Sequence, residues 1–270
     1  MTRLIEYHVT ENGTAVLRVN RPEARNALNW AAQEAFAAAV AQVAQDTAVR
    51  VLIVTGSGDQ AFVAGADLKE LSRHPEAAAG ARLNRIIGDA LAQLTELPLP
   101  VIAAINGDAF GGGCEILTAC DLRIAAAHAR FSFAQVKNAL TSGWGGTARL
   151  VHLIGQSRAI ELMLTARLFD VEEARQMGLV HRITPPGGDV LAAALAWAAD
   201  LTRLSRGALA ANKALAHTAV HQTLATTYRA ETNLFVQLWT QPDHLEAMQA
   251  FVEKRKPEFN KDARSKIEDC

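Results

Sequence analysis

The stretch of residues 103–119 constrains this chain most, because three consecutive glycines stand there between two apolar runs. Residues 100–105 are typical of a buried strand, and the residues after Gly113 are typical of a helix. A helix that begins at a glycine exposes its free N–H groups without an intervening side chain, and that end favours a negatively charged ligand atom. The sequence therefore predicts that the Gly112 N–H and the Glu115 carboxylate form half of a site.

The composition is that of an ordinary soluble globular protein. The chain has 270 residues, of which 50% are apolar and 20% charged, and its net charge is −1. This balance gives no electrostatic reason to expect a nucleic acid or an acidic membrane as a partner. The three cysteines, Cys114, Cys120 and Cys270, show no metal-ligand spacing and suit a reducing compartment. With no apolar signal core or membrane span, we expect a cytoplasmic enzyme without a metal.

Strand and helix signals alternate through the first half of the chain. Residues 3–9 and 14–20 predict a hairpin, and Asn29 is a candidate N-cap for the helix that follows. Strand-and-helix units then recur at intervals of roughly fifty residues, which predicts an α/β spiral of β-β-α units. From Leu191 onward the pattern is helical, and its apolar residues require another surface to cover them. We expect a core of residues 1–195 and a C-terminal helical oligomerisation region of residues 196–270.

A second glycine precedes Ala66, where the sequence predicts another helix start. Free N–H groups at Ala66 and Gly112 would form an oxyanion hole if they pointed at one oxygen atom. Each such donor is typically worth about 3 kcal/mol of transition-state stabilisation.

Several segments together resemble the signatures of the crotonase superfamily, which contains the enoyl-CoA hydratases and isomerases. These segments are AFVAGADLKE at residues 61–70, AING at 104–107 and GGGCE at 111–115. The segments RP…NALN at 21–29, GWGGTARL at 143–150 and FVEKRK at 251–256 also match, in the right order. The similarity covers essentially the whole chain.

The resemblance implies an acyl-CoA substrate and no separate cofactor. The thioester carbonyl would accept hydrogen bonds from the Ala66 and Gly112 N–H groups, which would stabilise an enolate. Further CoA contacts would come from Arg25 and the segment Ala64, Ala66, Asp67, Leu68 and Lys69. Phe251 and Lys254 resemble residues that reach the CoA of a neighbouring subunit, and the family usually assembles as a dimer of trimers. We expect a homo-oligomer, either a trimer or a dimer of trimers.

Glu115 matches the first of the two catalytic carboxylates of the hydratases, and Gln135 stands where the second is expected. A glutamine can hydrogen-bond a water molecule but cannot act as a general acid near neutral pH. The loop at residues 142–147 without a second glutamate also resembles family members that decarboxylate malonyl-type CoA esters. Hydration, isomerisation and decarboxylation all remain open at this point, and the sequence does not name the acyl group.

Each of these residues has a plainer explanation. Acidic residues are favoured in a first helical turn whether or not they do chemistry, which applies to Glu115 and Asp67. Gln135 is either a spacer or a group that orients the substrate, and Cys114 is expected to be a small buried hydrophobe. A non-catalytic CoA-binding or RNA-binding module is the alternative from another class. The predicted helix at residues 77–97 carries only Arg82 and Arg85 as basic residues, which argues against RNA.

Overall fold

The computed structural model describes residues 3–260, which form ten strands and eleven α-helices. The strands are β1 Ile5–Val9, β2 Thr14–Val19, β3 Val51–Gly56, β4 Ala61–Val63, β5 Val101–Ile105, β6 Asp108–Phe110, β7 Leu122–Ala125, β8 Arg130–Ser132, β9 Phe169–Asp170 and β10 Arg182–Ile183. The helices are α1 Trp30–Gln45, α2 Leu68–Leu71, α3 Ala77–Glu96, α4 Gly112–Thr118, α5 Gly146–Ile154, α6 Gln156–Thr165, α7 Val171–Gln176, α8 Val190–Thr202, α9 Arg206–His221, α10 Leu224–Trp239 and α11 Pro242–Val252. Short 3₁₀ helices occupy Pro22–Ala24 and Ala134–Asn138. Cys270 lies outside the described residues.

Two sheets alternate along the chain. The larger has the order β1-β2-β3-β5-β7-β10, and the smaller has the order β4-β6-β8-β9. Successive strands of the core therefore enter the two sheets in turn before a helix follows, which confirms the predicted spiral of β-β-α units. Every residue of β3 and β5 is buried, as expected for central strands of a parallel sheet that is covered on both faces.

Local signals explain the first elements. β1 and β2 pair antiparallel as the predicted hairpin, and the Asn12 side chain accepts a hydrogen bond from the Thr14 N–H in its turn. Asn29 caps α1 as predicted, since its side chain accepts from the Ala32 N–H at 2.9 Å. The buried face of α1 packs against α3 and β1, so this helix helps to cover one side of the larger sheet.

Helix α8 covers the other side of the larger sheet. Its buried residues Val190, Ala194 and Ala198 pack against strand residues that include Ile53 and Ile102. The helix runs through residue 195, where the sequence analysis placed the end of the core. Because its buried face belongs to the core sheet, we propose that the helical region begins after Thr202. Residues 261–270 of that predicted region lie outside the described part of the chain.

An ion pair fastens α9 to the core. The Lys213 Nζ lies 2.8 Å from the Asp121 carboxylate and donates to the Leu99 carbonyl at 3.0 Å. The same carboxylate accepts from the Val101 N–H, at the start of β5. This contact positions α9 against the start of β5, the strand that leads towards the glycine-rich segment. Over residues 3–260, no helix is long and apolar enough to cross a membrane.

Candidate active site

The glycine-rich segment joins β6 to α4 through close backbone contacts. Gly111 adopts a φ of 51° and donates its N–H to the Ser132 carbonyl, and α4 begins at Gly112. A Cβ atom on Gly112 would lie 2.1 Å from the Trp144 ring, and one on Gly113 would lie 1.8 Å from the Val63 carbonyl oxygen. Glycine is therefore required here so that the helix start can approach its neighbours.

The segment that contains Ala66 runs past the start of α4. A Cβ atom on Gly65, whose φ is 96°, would lie 3.1 Å from the Gly112 nitrogen. Ala66 forms a parallel bridge with Leu28, in which the Leu28 N–H donates to the Gly65 carbonyl and the Asp67 N–H donates to the Leu28 carbonyl. Since those flanking groups make the bridge, the Ala66 N–H points away from Leu28.

The predicted helix start at Ala66 is wrong by two residues. Helix α2 begins at Leu68, and the Asp67 side chain caps it by accepting from the Glu70 N–H. Pairing with Leu28, which is distant in sequence, holds Ala66 in an extended conformation instead. The direction of the Ala66 N–H is thus set by a β-bridge and not by a helix N-terminus.

The other predicted CoA contacts of the first half lie along one ribbon. The Arg25 carbonyl accepts from the Ala64 N–H at 3.1 Å, so the two segments are joined by their backbones. Leu68 and Lys69 are exposed, with 52% of Leu68 accessible. The Asp67 carboxylate is already engaged, because the Arg21 guanidinium lies 3.1 Å from it.

The two predicted contacts of the second half lie at the end of α11. Phe251 is 85% exposed, and Lys254 follows the helix with a φ of 53° and is also exposed. Within the chain, α11 packs against α10.

The Glu115 carboxylate is buried, with 2% of the residue exposed, and four hydrogen-bond donors hold it. Its Oε2 atom accepts from the Trp144 N–H at 2.8 Å and from the Gly146 N–H at 2.9 Å. Its Oε1 atom accepts from the Gly143 N–H at 3.4 Å. A Cβ atom on Gly146 would lie 2.4 Å from the Glu115 Cγ. Only a glycine at position 146 therefore lets the loop come this close to the carboxylate.

Gln135 supplies the fourth donor. Its Nε2 atom lies 2.9 Å from the Glu115 Oε1 atom, and it reaches this position from the 3₁₀ helix Ala134–Asn138. A carboxylate only accepts hydrogen bonds, so the amide nitrogen faces Glu115 and the amide oxygen remains available to a further donor such as water. The structure thus brings together the two residues that the sequence proposed as catalytic.

Sequence reasoning missed Arg149, in the first part of α5. Its Nη2 atom donates to the Trp144 carbonyl at 2.6 Å and to the Glu115 carbonyl at 3.3 Å, and its Nε atom donates to the Thr118 hydroxyl at 3.2 Å. A cation near a helix N-terminus opposes the helix dipole. An arginine so near the start of a predicted helix is therefore the feature of the sequence that could have pointed to Arg149.

The thiols near the site are inert. Cys114 and Cys120 are fully buried, and burial raises the pKa of the Cys114 thiol far above its usual range and that of Cys120 to about 12. Cys114 donates to the Ala109 carbonyl, which fits the small buried hydrophobe that the sequence analysis expected. Across residues 3–260, no group of three or more His, Cys, Asp or Glu side chains is arranged to hold a metal ion.

A cavity of about 520 Å³ opens beside Arg25, away from Glu115, and its polar walls include Asp59, Asp108 and Arg130. Arg130 in this cavity is already paired with Asp108 at 2.7 Å.

The two-sheet spiral and the glycine-lined carboxylate define a crotonase-type α/β protein. The family model described as enoyl-CoA hydratase/isomerase matches residues 9–262, and the chain belongs to that family. It is 40% identical over 252 residues to a crotonyl-CoA hydratase of Syntrophomonas wolfei, covering 92% of this chain and 95% of the relative. It is 35% identical to a short-chain-enoyl-CoA hydratase of Clostridium acetobutylicum, covering 92% and 94%. The crystal structure of an enoyl-CoA hydratase from Bacillus anthracis superposes with a TM-score of 0.91 at 33% identity, covering 95% of this chain and 99% of that one.

Proposed function

We propose that this enzyme transforms short acyl-CoA thioesters through an enolate, with Glu115 as the acid–base group. The observation that carries the proposal is the position of the Glu115 carboxylate, which is buried, held by four hydrogen-bond donors and three residues after the helix start at Gly112. In this proposal the thioester oxygen accepts hydrogen bonds from the Ala66 and Gly112 N–H groups. Negative charge that develops on that oxygen is then stabilised by preorganised donors.

For hydration, the hydroxyl of a water molecule adds to carbon 3 of the enoyl group and a proton is delivered to carbon 2. Glu115 would accept the proton of the water, and the free amide oxygen of Gln135 would hold the water in place. Glutamine has no acidic proton to deliver, so the proton for carbon 2 must return from Glu115 alone. We therefore propose that simple hydration is slow relative to a two-carboxylate site.

Decarboxylation of a malonyl-type CoA ester is the second candidate, and Gln135 is the observation that favours it. Loss of carbon dioxide leaves the electron pair on the thioester enolate, and carbon 2 must then take up one proton, which Glu115 would draw from water and deliver. This reaction needs the oxyanion donors but only one proton-transfer group, which matches a site with a single carboxylate opposite an amide.

For the CoA moiety, we propose the ribbon formed by Arg25, Ala64, Ala66, Leu68 and Lys69. Asp67 belongs to this ribbon as well, through its backbone, because its carboxylate is committed to the α2 cap and to Arg21. At the acyl end, the Trp144 ring is buried directly against Gly112. A bulky side chain at that point leaves little room, which supports the proposal that the acyl group is short. The name of the Clostridium relative, a short-chain-enoyl-CoA hydratase, supports the same proposal.

We further propose that the chain assembles as a trimer or a dimer of trimers, with Phe251 and Lys254 reaching the CoA of a neighbouring subunit. The exposed apolar residues of α10 and α11 support this, since Leu224 is 87% and Phe251 85% exposed and a monomer rarely presents such a surface. Analytical ultracentrifugation is expected to give three or six times the mass of one chain. A monomer at micromolar concentration would contradict the proposal.

The test of function is a substrate panel read by mass spectrometry. The purified protein is incubated with crotonyl-CoA, a 3-enoyl-CoA and methylmalonyl-CoA, with the Glu115→Gln variant as the control. We expect turnover of at least one thioester, weak hydration of crotonyl-CoA, and loss of turnover in the variant. Hydration at the rate of an ordinary hydratase would contradict the assigned role of Gln135, and binding without any turnover would favour a non-catalytic CoA-binding module.

A further inference from the structure

The position of Glu115 depends on the loop that precedes α5. Three backbone N–H groups of this loop, from Gly143, Trp144 and Gly146, hold the carboxylate. Gly145 within it adopts a φ of 78° and provides no side-chain cap for α5. A loop that is set by a left-handed glycine needs support from elsewhere if it is to aim three donors at one carboxylate.

The Arg149 guanidinium provides that support. It joins the loop, at the Trp144 carbonyl, to α4, at the Glu115 carbonyl and the Thr118 hydroxyl. A Cβ atom on Gly145 would lie 2.8 Å from the Arg149 Nη1 atom, so the guanidinium also fills the space beside the left-handed turn. A guanidinium is planar and carries several N–H donors in a fixed arrangement, so it can bond acceptors in the loop and on α4 at the same time.

Charge links the same two residues. Arg149 is half-buried, and within residues 3–260 no carboxylate oxygen forms an ion pair with it; the oxygens it contacts are neutral. Burial lowers the pKa of the Arg149 guanidinium, and the negative charge of Glu115 opposes this effect. The guanidinium and the Glu115 carboxylate therefore attract each other across the loop that they share.

We propose that Arg149 is a positioning residue for the reaction, which fixes the loop around Glu115 and supplies the counter-charge for its carboxylate. This inference rests on the proposed role of Glu115. Arg149 itself does not touch the substrate in this proposal, and it acts through the loop and through the field at the carboxylate. A misplacement of about 1 Å caused by a substitution away from the reacting atoms can cost about 10²-fold in rate.

The test compares Arg149→Met with Arg149→Lys. In the methionine variant we expect kcat to fall by up to about 10²-fold, since a misplaced carboxylate reacts poorly, with little change in the dissociation constant for butyryl-CoA. Lysine retains the charge but not the fork, so it should recover only part of the lost kcat. Arg175→Met, at an exposed ion pair with Glu172 on α7, is the matched control and should leave both quantities unchanged.

A second readout does not require turnover. The carboxyl carbon of Glu115 is followed by ¹³C NMR at one fixed pH, with the resonance assigned by its loss in Glu115→Gln. A displaced resonance in Arg149→Met that is partly restored in Arg149→Lys supports the proposal. Wild-type kcat or an undisplaced resonance in Arg149→Met overturns it. If the wild type turns over none of the thioesters, the proposed function has failed, and the resonance alone decides the role of Arg149.

Discussion

Replacement of Glu115 by glutamine is expected to lower turnover of the preferred thioester by about 10²–10⁴-fold, the usual contribution of general acid–base catalysis. The amide is nearly isosteric with the carboxylate, so its oxygen can still accept from the Trp144 and Gly146 N–H groups. Its nitrogen would then face Gln135, which can rotate its amide and accept instead of donating. Only the long hydrogen bond from the Gly143 N–H, at 3.4 Å in the wild type, would be lost. The variant should therefore keep the fold and lose the group that accepts a proton.

This expectation is checked by steady-state kinetics together with calorimetric binding of butyryl-CoA and thermal unfolding. We expect binding and stability close to those of the wild type. Glu172→Gln, at the exposed ion pair on α7, is the control for removing one carboxylate elsewhere. A Glu115→Gln enzyme with full activity on the preferred substrate would show that the buried carboxylate serves only to hold the loop before α5.

Features set by local chemistry were predictable from the sequence. The Asn29 cap and the β1–β2 hairpin both follow from neighbouring residues. Ala66 was harder, because its conformation is decided by Leu28, a partner nearly forty positions away. Pairing across such a distance keeps Ala66 extended, so the helix begins only after the Asp67 cap.

Within the site, the sequence proposed Glu115 and Gln135 individually but could not give their contact of 2.9 Å. That contact depends on how the 3₁₀ helix Ala134–Asn138 packs beside α4. Arg149 was missed for the same reason. Its acceptors lie on α4 and in the loop before α5, so its role becomes visible only when the two are placed side by side.

Gln135→Glu is expected to raise the rate of crotonyl-CoA hydration by up to roughly 10²-fold, the low end of what general acid–base catalysis contributes. The new carboxyl would lie about as far from Glu115 as the amide does now. Two carboxylates at that distance cannot both ionise, so the pair would share one proton. That proton gives the site the donor to carbon 2 that the wild-type amide lacks.

The shared proton also predicts how Gln135→Glu responds to pH. A carboxyl whose proton is retained in the folded state to a higher pH than in the unfolded state stabilises the fold at low pH and loses that contribution as pH rises. As the pH rises above the pKa of a glutamate in the unfolded chain, the unfolding temperature of the variant should therefore fall relative to that of the wild type. Hydration by the variant should show a bell-shaped pH profile. Gln135→Leu is the matched control, because it removes the hydrogen bond to Glu115 without adding a carboxyl. Equal hydration rates in the glutamate and leucine variants would mean that a second carboxyl at this position does not complete the proton transfer.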